Sequence, residues 1–222
     1  SYLNIEAIVA AIRRTGADAV HPGYGFLAEN AAFAQAVIEA GAVWIGPSPQ
    51  AIRAMSHKAR AKVLMRDAGV PCIPGYDGAD QSDATLESEA ARIGYPLMVK
   101  AAAGGGGRGM RLVREPAQLP AALQSARAEA LAAFGSGELI LERAMVQSRH
   151  VEVQVFGDAY GHVIHLGERD CSVQRRHQKL IEESPCAAVD AALREALGQM
   201  AVRAARAVHY VGAGTVECLL AP

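Results

Sequence analysis

Four lysines stand out in this sequence: Lys58, Lys62, Lys100 and Lys179. The chain has 22 basic residues, so the remaining 18 (22 − 4) are arginine. An ammonium is a compact charge that fits a crowded phosphate site, where the wide planar guanidinium fork does not. Lysines in an arginine-rich chain are therefore candidate anion contacts, although coding bias gives the same composition without function. Lys100 stands just ahead of Gly104-Gly105-Gly106-Gly107, with Gly109 beyond. Gly104, Gly106 and Gly109 formally satisfy G-x-G-x-x-G, but the dinucleotide-binding fold needs a helix after that loop to hold a pyrophosphate. Here Met110 to Val113 reads as a strand. The sequence contains no G-x-x-x-x-G-K-[ST] segment, which excludes a Walker loop. What remains is strand, glycine loop, strand, a hairpin whose bare backbone N–H groups can close over phosphates. An ordinary exposed turn is the plainer alternative, but four glycines in a row make it entropically expensive.

Three further groups could do chemistry. His150, Glu152 and Gln154 alternate with Val151, Val153 and Val155, so a strand would put three polar groups on one face and three valines on the other. That face is solvent surface or a binding surface. Glu168 to Lys179 is a dense polar run between apolar segments; it lacks the aromatic interleaving of a nucleic-acid patch. It reads as a surface loop or as an active-site loop offering His177 and Lys179 to anions. Glu217 interrupts an apolar strand, as an exposed-face residue or as a ligand for Mg²⁺, which takes carboxylate oxygens together with phosphates and water.

The elements that position these groups follow from periodicity and punctuation. Leu3, Ile5, Ile8 and Ile12 predict a helix over 3–14, followed by a strand at 17–20, a helix over 29–40 and a strand at 43–45. Such alternation belongs to a parallel α/β sheet. Ser48 caps a helix carrying Ile52 and Met55, and a second helix runs from Lys58 to Ala68, stopped by Gly69 and Pro71. Residues 84–142 read as a small α/β unit of their own: helix 84–93, strands 96–101 and 110–113, a helix from Pro116 to Phe134, and strand 138–142. Strands from Arg149 and over 162–166, a helix over 190–208 and a strand over 214–220 complete the chain. The unit lacks an opening strand and a closing element, so truncation at both ends is expected.

Composition bounds the rest. The 222 residues suffice for one large domain or a few small ones, and a net charge of −1 implies no general attraction to nucleic acid or membrane. No apolar run is long enough to span a bilayer. Cys72, Cys171, Cys186 and Cys218 form no CxxC pair and read as reduced, buried thiols of a cytosol-like compartment.

Taken together, these segments resemble the biotin carboxylase family of the ATP-grasp superfamily, over essentially the whole chain. The resemblance rests on Ser1 to Ile5, His21-Pro22-Gly23-Tyr24-Gly25-Phe26-Leu27-Ala28-Glu29-Asn30, Ile45-Gly46-Pro47 and Gly94-Tyr95-Pro96 through Lys100. It continues over Gly104 to Met110, Arg149 to Gln154, Glu168 to Lys179 and Gly212 to Glu217. It implies an α/β (α+β) ATP-grasp fold with a partial, Rossmann-like N-terminal pre-ATP-grasp domain. The implied parts are that domain with linker helices at 1–71, an ATP-grasp lid at 72–144 and the first part of the C-terminal subdomain at 145–222.

The family implies roles residue by residue. Lys58 and Lys100 would contact ATP phosphates, with Lys100 also reaching toward adenine; Gly106 and Gly107 would cover the phosphates. Glu142, Arg143, Ala144 and Met145 would bind adenine, and His150, Gln174 and His177 would line the nucleotide site. Lys179 would hold bicarbonate, and Glu217 would bind Mg²⁺ or Mn²⁺. The implied reaction is ATP-dependent carboxylation of biotin on a carrier domain through carboxyphosphate, with a carboxyltransferase subunit as partner and a homo-oligomeric whole protein. The compartment would be the cytoplasm, or the mitochondrial matrix in a eukaryote. The sequence departs from the family pattern at Ala28, at Ser56-His57 before Lys58, at Ala102-Ala103 and at Ser184-Pro185-Cys186. The family's second metal-binding acid, and the arginines and acid that orient bicarbonate and biotin, would lie beyond Pro222, so this chain alone is expected to be inactive. Residues 78–83 and 151–158 look most like the methylcrotonyl-CoA or geranyl-CoA carboxylase branch. A carbamoyl-phosphate-synthetase-like ligase is the nearest rival enzyme, and a catalytically incomplete nucleotide-binding fragment the rival of another class.

Overall fold

Polar residues that satisfy free backbone N–H groups set the starts of five described helices, at Asn4, Asn30, Ser48, Ser82 and Asp190. The computed structural model describes residues 2–103, 109–175 and 178–221. Asn4 accepts from the Ala7 N–H at 2.9 Å and starts α1 (Ile5–Thr15), which Gly16 ends in the left-handed conformation. Asn30 does the same for α2 (Ala31–Glu39). The short strands β1 (Ala19–Val20) and β2 (Val43–Trp44) pair in parallel, as the alternation predicts. Ile12, Leu27, Phe33, Val37 and Ala42 bury between them, and Trp44 meets Phe33 edge to face at 5.5 Å.

Ser48 and Pro49 open α3 (Pro49–Met55), and α4 (Lys58–Asp67) follows. The first N–H of α4 has a distant acceptor: Lys58 N donates to Ala102 O at 2.9 Å. The linker helices thereby seat on the sheet that follows.

That sheet has the order β3-β6-β4-β5 and is antiparallel throughout. Its strands are β3 (Gly75–Tyr76), β4 (Leu97–Ala101), β5 (Arg111–Val113) and β6 (Leu139–Arg143). Two helices, α5 (Asp83–Ile93) and α6 (Leu119–Phe134), cover one face. Leu86, Leu97, Val99, Val113, Leu123, Leu139 and Leu141 fill the space between them, each nearly inaccessible to water. Burying one such side chain contributes about 1.5–3 kcal/mol. The expectation of a single helix from Pro116 is corrected: residues 116–118 form a 3-10 turn, and the α-helix begins at Leu119.

The last sheet is also antiparallel, in the order β10-β7-β8-β9. Its strands are β7 (Arg149–Gly157), β8 (Val163–Arg175), β9 (Gln178–Glu183) and β10 (Gly212–Leu220). The helix α7 (Ala191–Ala207), capped by Asp190, packs on one face through Ala201, Val202 and Ala205 against Val153, Val155 and Val163. The opposite face carries the polar residues of β7. Here the largest correction falls. The polar run from Glu168 is not a loop: its first half continues β8 to Arg175, and Lys179 lies on β9, antiparallel to it. The cysteine expectation is corrected in part. All four thiols are free, but only Cys171 and Cys186 are buried; Cys72 and Cys218 are half-buried. No described helix is long and apolar enough to cross a membrane.

Candidate active site

Two clusters hold the chemistry-bearing residues. The first sits where α4 meets β4 and β6. Lys100 faces inward from β4, and across the sheet Met98 is the register partner of Glu142 on β6. The Glu142 carboxylate is almost fully buried. Lys100 donates to its Oε2, and Lys62 donates to its Oε1 at 2.7 Å. Burial would raise the Glu142 pKa, but these two ammonium groups outweigh it and hold the carboxyl below its usual range. Lys58 donates to Ala101 O at 3.3 Å. Burial, and then the charge of Lys100, push its pKa down. The cluster thus gathers the ammonium groups of Lys58 and Lys62 from α4 and of Lys100 from β4, the strand that precedes the glycine run. Gly106 and Gly107 lie outside the described residues, but β4 and β5 on either side of them pair directly, with Leu97 opposite Val113. The hairpin geometry is therefore present and the dinucleotide-binding geometry is not.

Arg143, Ala144 and Met145 carry the chain out of β6. Arg143 N donates to Pro74 O at 2.9 Å and Ala144 N to Pro96 O at 3.0 Å, while Met145 O accepts from Ser148 Oγ at 2.9 Å. Arg143 itself is exposed.

The second cluster lies on the polar face of β10-β7-β8-β9. Glu152 sits directly opposite Glu217 on one side and Arg169 on the other. It is 4% exposed. An isolated buried carboxylate would be strongly disfavoured; here Lys179 and Arg169 both bind it, the Arg169 Nε at 2.7 Å. Burial would raise its pKa, yet the bonds to Lys179 and Arg169 bring it down. Lys179 also donates to Glu217 Oε1 at 2.7 Å. Burial would lower the Lys179 pKa, but the bonds to Glu152 and Glu217 more than reverse this and raise it well above the ordinary lysine range. Lys179 is accordingly a permanent cation, suited to holding an anion and unsuited to accepting a proton at neutral pH. His150 Nδ1 lies 2.7 Å from Gln174 Nε2, and its Nε2 lies 3.5 Å from Glu217. Gln174 Nε2 also donates to Cys171 O at 2.8 Å.

The structure therefore brings together His150, Gln174, Lys179 and Glu217 from four strands; His177 lies outside the described residues. The sequence singles out Glu152 and Lys62 and the run that holds Arg169, but gives none of the three a place in the site. Glu152 belonged to an alternation already visible, and its burial was the hidden part.

Glu217 is 56% exposed at the rim of this face, with carboxylate oxygens of the kind Mg²⁺ takes. A hard divalent cation would take one ligand from it, in competition with Lys179, which donates to its Oε1. Glu152, Cys171 and Glu182 also lie within 4.8 Å of one another. That group does not fit a cation, because Glu152 is already bound by two cations and burial holds the Cys171 thiol protonated.

Comparison with known proteins bears on this geometry. Residues 57–222 match the family described as carbamoyl-phosphate synthase L chain, ATP binding domain, and residues 1–52 match biotin carboxylase, N-terminal domain. The chain is 54% identical to the mitochondrial methylcrotonoyl-CoA carboxylase subunit alpha of Oryza sativa subsp. japonica, over 99% of this chain and 30% of that protein. It is 52% identical to the biotin carboxylase of Nostoc sp., over 99% of this chain and 49% of that one. Among solved structures it resembles the Campylobacter jejuni biotin carboxylase–β-γ-ATP complex, with a TM-score of 0.96 and 52% identity, covering 99% of this chain and 49% of that chain. It also resembles the biotin carboxylase domain dimer of Hydrogenobacter thermophilus 2-oxoglutarate carboxylase in complex with MgADP, ADP and bicarbonate. The TM-score there is 0.93 at 48% identity, over 98% of this chain and 48% of that one. The chain thus spans between about a third and a half of the relatives it matches. A buried Lys–Glu cluster on paired strands that flank the glycine run, a sheet face of paired charges and these matches have one common explanation: the chain belongs to the biotin carboxylase family and has its ATP-grasp fold.

Proposed function

We propose that the protein carrying this chain carboxylates biotin on a carrier domain, using ATP and bicarbonate. The observation that carries this reading is the polar sheet face, where Lys179, paired with Glu152 and Glu217, stands beside His150, Gln174 and Arg169. In this reading a bicarbonate oxygen attacks the γ-phosphorus of ATP and the bond to ADP breaks, giving carboxyphosphate. A ureido nitrogen of biotin then bonds to the carboxyl carbon, the bond from that carbon to the phosphate oxygen breaks, and the departing phosphate takes the proton from nitrogen. Lys179 holds the bicarbonate by charge; Lys58 and Lys100, with Gly106 and Gly107, hold the phosphates; Glu142 to Met145 cradle adenine; His150, Gln174 and His177 line the nucleotide. Catalysis is then positioning and charge neutralisation. A Mg²⁺ or Mn²⁺ ion would be held by Glu217 and would neutralise phosphate charge. Closure of the glycine hairpin would exclude water from a labile intermediate.

The working division is 1–71 for the N-terminal part with its linker helices, 72–144 for the lid and 145–222 for the sheet subdomain. We further assign a carboxyltransferase subunit and a biotin carboxyl carrier domain as partners in a homo-oligomeric enzyme, with no nucleic-acid or membrane partner. The compartment is the cytoplasm, or the matrix in a eukaryote. The acyl-CoA assignment to the methylcrotonoyl branch rests on relatives such as the rice protein, 54% identical; plain biotin carboxylases reach 52%. The 222-residue chain alone is expected to turn over poorly.

The test is phosphate release from ATP by the whole protein with and without bicarbonate and biotin. Dependence on both supports the reading, and bicarbonate-independent release sinks it. A carbamoyl-phosphate-forming ligase is the second reading, favoured by the family description that matches residues 57–222; ammonia-dependent, biotin-independent turnover would select it.

A further inference from the structure

Lys62 has no part in the assignments above, yet it joins two separate segments of the first cluster. Its side chain, on α4, is 12% exposed. Its Nζ donates to Ile73 O at 2.9 Å and to Glu142 Oε1 at 2.7 Å. Ile73 lies in the segment that leads into β3, and Glu142 lies on β6, eighty residues away from Lys62. The two segments are already zipped to each other, since Gly75 is opposite Glu142 and Arg143 N donates to Pro74 O. Lys62 thus pins both the lead-in and the lead-out of the β3-β6-β4-β5 sheet to a helix outside it. Ordering a long side chain costs entropy, and neutralising Glu142 needs only one cation, which Lys100 supplies. A second buried ammonium therefore calls for a geometric role. With one lysine on each oxygen, the carboxylate is held in a single orientation. A carboxylate has roughly four acceptor positions, so positions remain for another donor.

We propose that Lys62 is a positioning residue for nucleotide selection: it fixes Glu142 so that the remaining acceptor positions meet the exocyclic amino group of adenine and refuse the carbonyl that guanine presents there. This rests on the reading of Glu142 to Met145 as the adenine contact. An acceptor that meets a carbonyl leaves both groups unpaired, which is how hydrogen-bonding sites discriminate.

The experiment is steady-state kinetics of the whole protein with ATP and with GTP, comparing wild type, Lys62→Met and Lys62→Arg. Lys62→Met is expected to raise KM for ATP about tenfold, the loss of one charge-assisted hydrogen bond, and to lower the ATP-over-GTP ratio of kcat/KM by a similar factor. The change in kcat should be much smaller, and Lys62→Arg should restore most of the ratio. A Lys62→Met protein with a lower melting temperature but an unchanged ratio and unchanged KM would overturn the proposal, because a merely structural lysine behaves that way. Should Lys62→Met fail to fold, Lys62→Gln, which can keep the bond to Ile73 O, is judged on the same ratio. Failure of the underlying reading shows separately, as a wild-type protein with no preference for ATP over GTP.

Discussion

Lys179 on β9 donates to Glu217 on β10 at 2.7 Å, although these are the two outer strands of a four-stranded sheet. Three interstrand spacings of about 4.8 Å separate such strands, roughly 14 Å, which the two side chains span only if the sheet curls toward its polar face. Glu152, on β7 between them, is what they close over. The curl and the charge pattern are one arrangement: a buried carboxylate draws a lysine inward from one edge, and the exposed carboxylate of the other edge completes its coordination.

Lys179→Gln therefore removes the charge that the bicarbonate role needs. Carboxylation should fall by at least about a hundredfold, with the Kd for MgATP changed by less than about threefold. Equal loss of both, by calorimetric titration and product assay, would take Lys179 out of the bicarbonate role.

Glu152→Ala should destabilise the fold by about 3 kcal/mol, because it leaves two partly buried cations without their shared counter-charge. Urea unfolding of wild type and variant measures this. A difference below about 1 kcal/mol, the range of exposed pairs, would mean that the pairing is not energetically important.

That residue also marks the limit of what was legible in advance. The alternation His150, Glu152, Gln154 against the three valines put the polar face on the right side of the right strand, and Thr215, Glu217 and Leu219 followed the same period-two rule. The helix cap at Ser48 and the break between β4 and β5 were equally local signals, whereas the helices expected from 3 and 29 start only after the caps Asn4 and Asn30. The polar run from Glu168 looked like a loop because its charges have no sequence-local partners. They are strand residues whose partners come from other elements: Glu168 with Arg194 on α7, and from other strands Arg169 with Glu152, Lys179 with Glu152 and Glu217. Lys62 and Glu142 are separated by eighty residues, and no spacing rule reaches that far.

Asp170 supplies a pH dependence. Burial would raise its pKa, but bonds from the Ser172 side chain and backbone N–H, from Arg149 and from the Cys186 thiol bring it to about 2. An unfolded aspartate titrates near about 3.9, so the folded value is the lower one. Its stabilisation is present above that unfolded value and lost as pH falls from about 4 toward 2. Asp170→Asn should lower the melting temperature at pH 7, and the gap to wild type should shrink as pH falls through that window. A gap of constant size from pH 7 to pH 2 would contradict the assignment.

Gly198, on α7, lies against the His165 ring, so a methyl group added there would overlap it. Gly198→Ala should cost about 1–3 kcal/mol by overpacking, despite the better helix propensity of alanine. Combining it with His165→Ala should recover most of that loss. Additive losses in the double variant would show that the ring is not the obstacle.

The central claim is that bicarbonate, held by Lys179, attacks the γ-phosphoryl of ATP. Turnover of the whole protein with ¹⁸O-labelled bicarbonate in unlabelled water tests it, with the phosphate product read by mass spectrometry. The attacking oxygen stays on phosphorus when the carboxyl group moves to biotin, so the account predicts phosphate carrying a single heavy oxygen from bicarbonate. Phosphate without label would mean that water is the nucleophile, and would contradict the account.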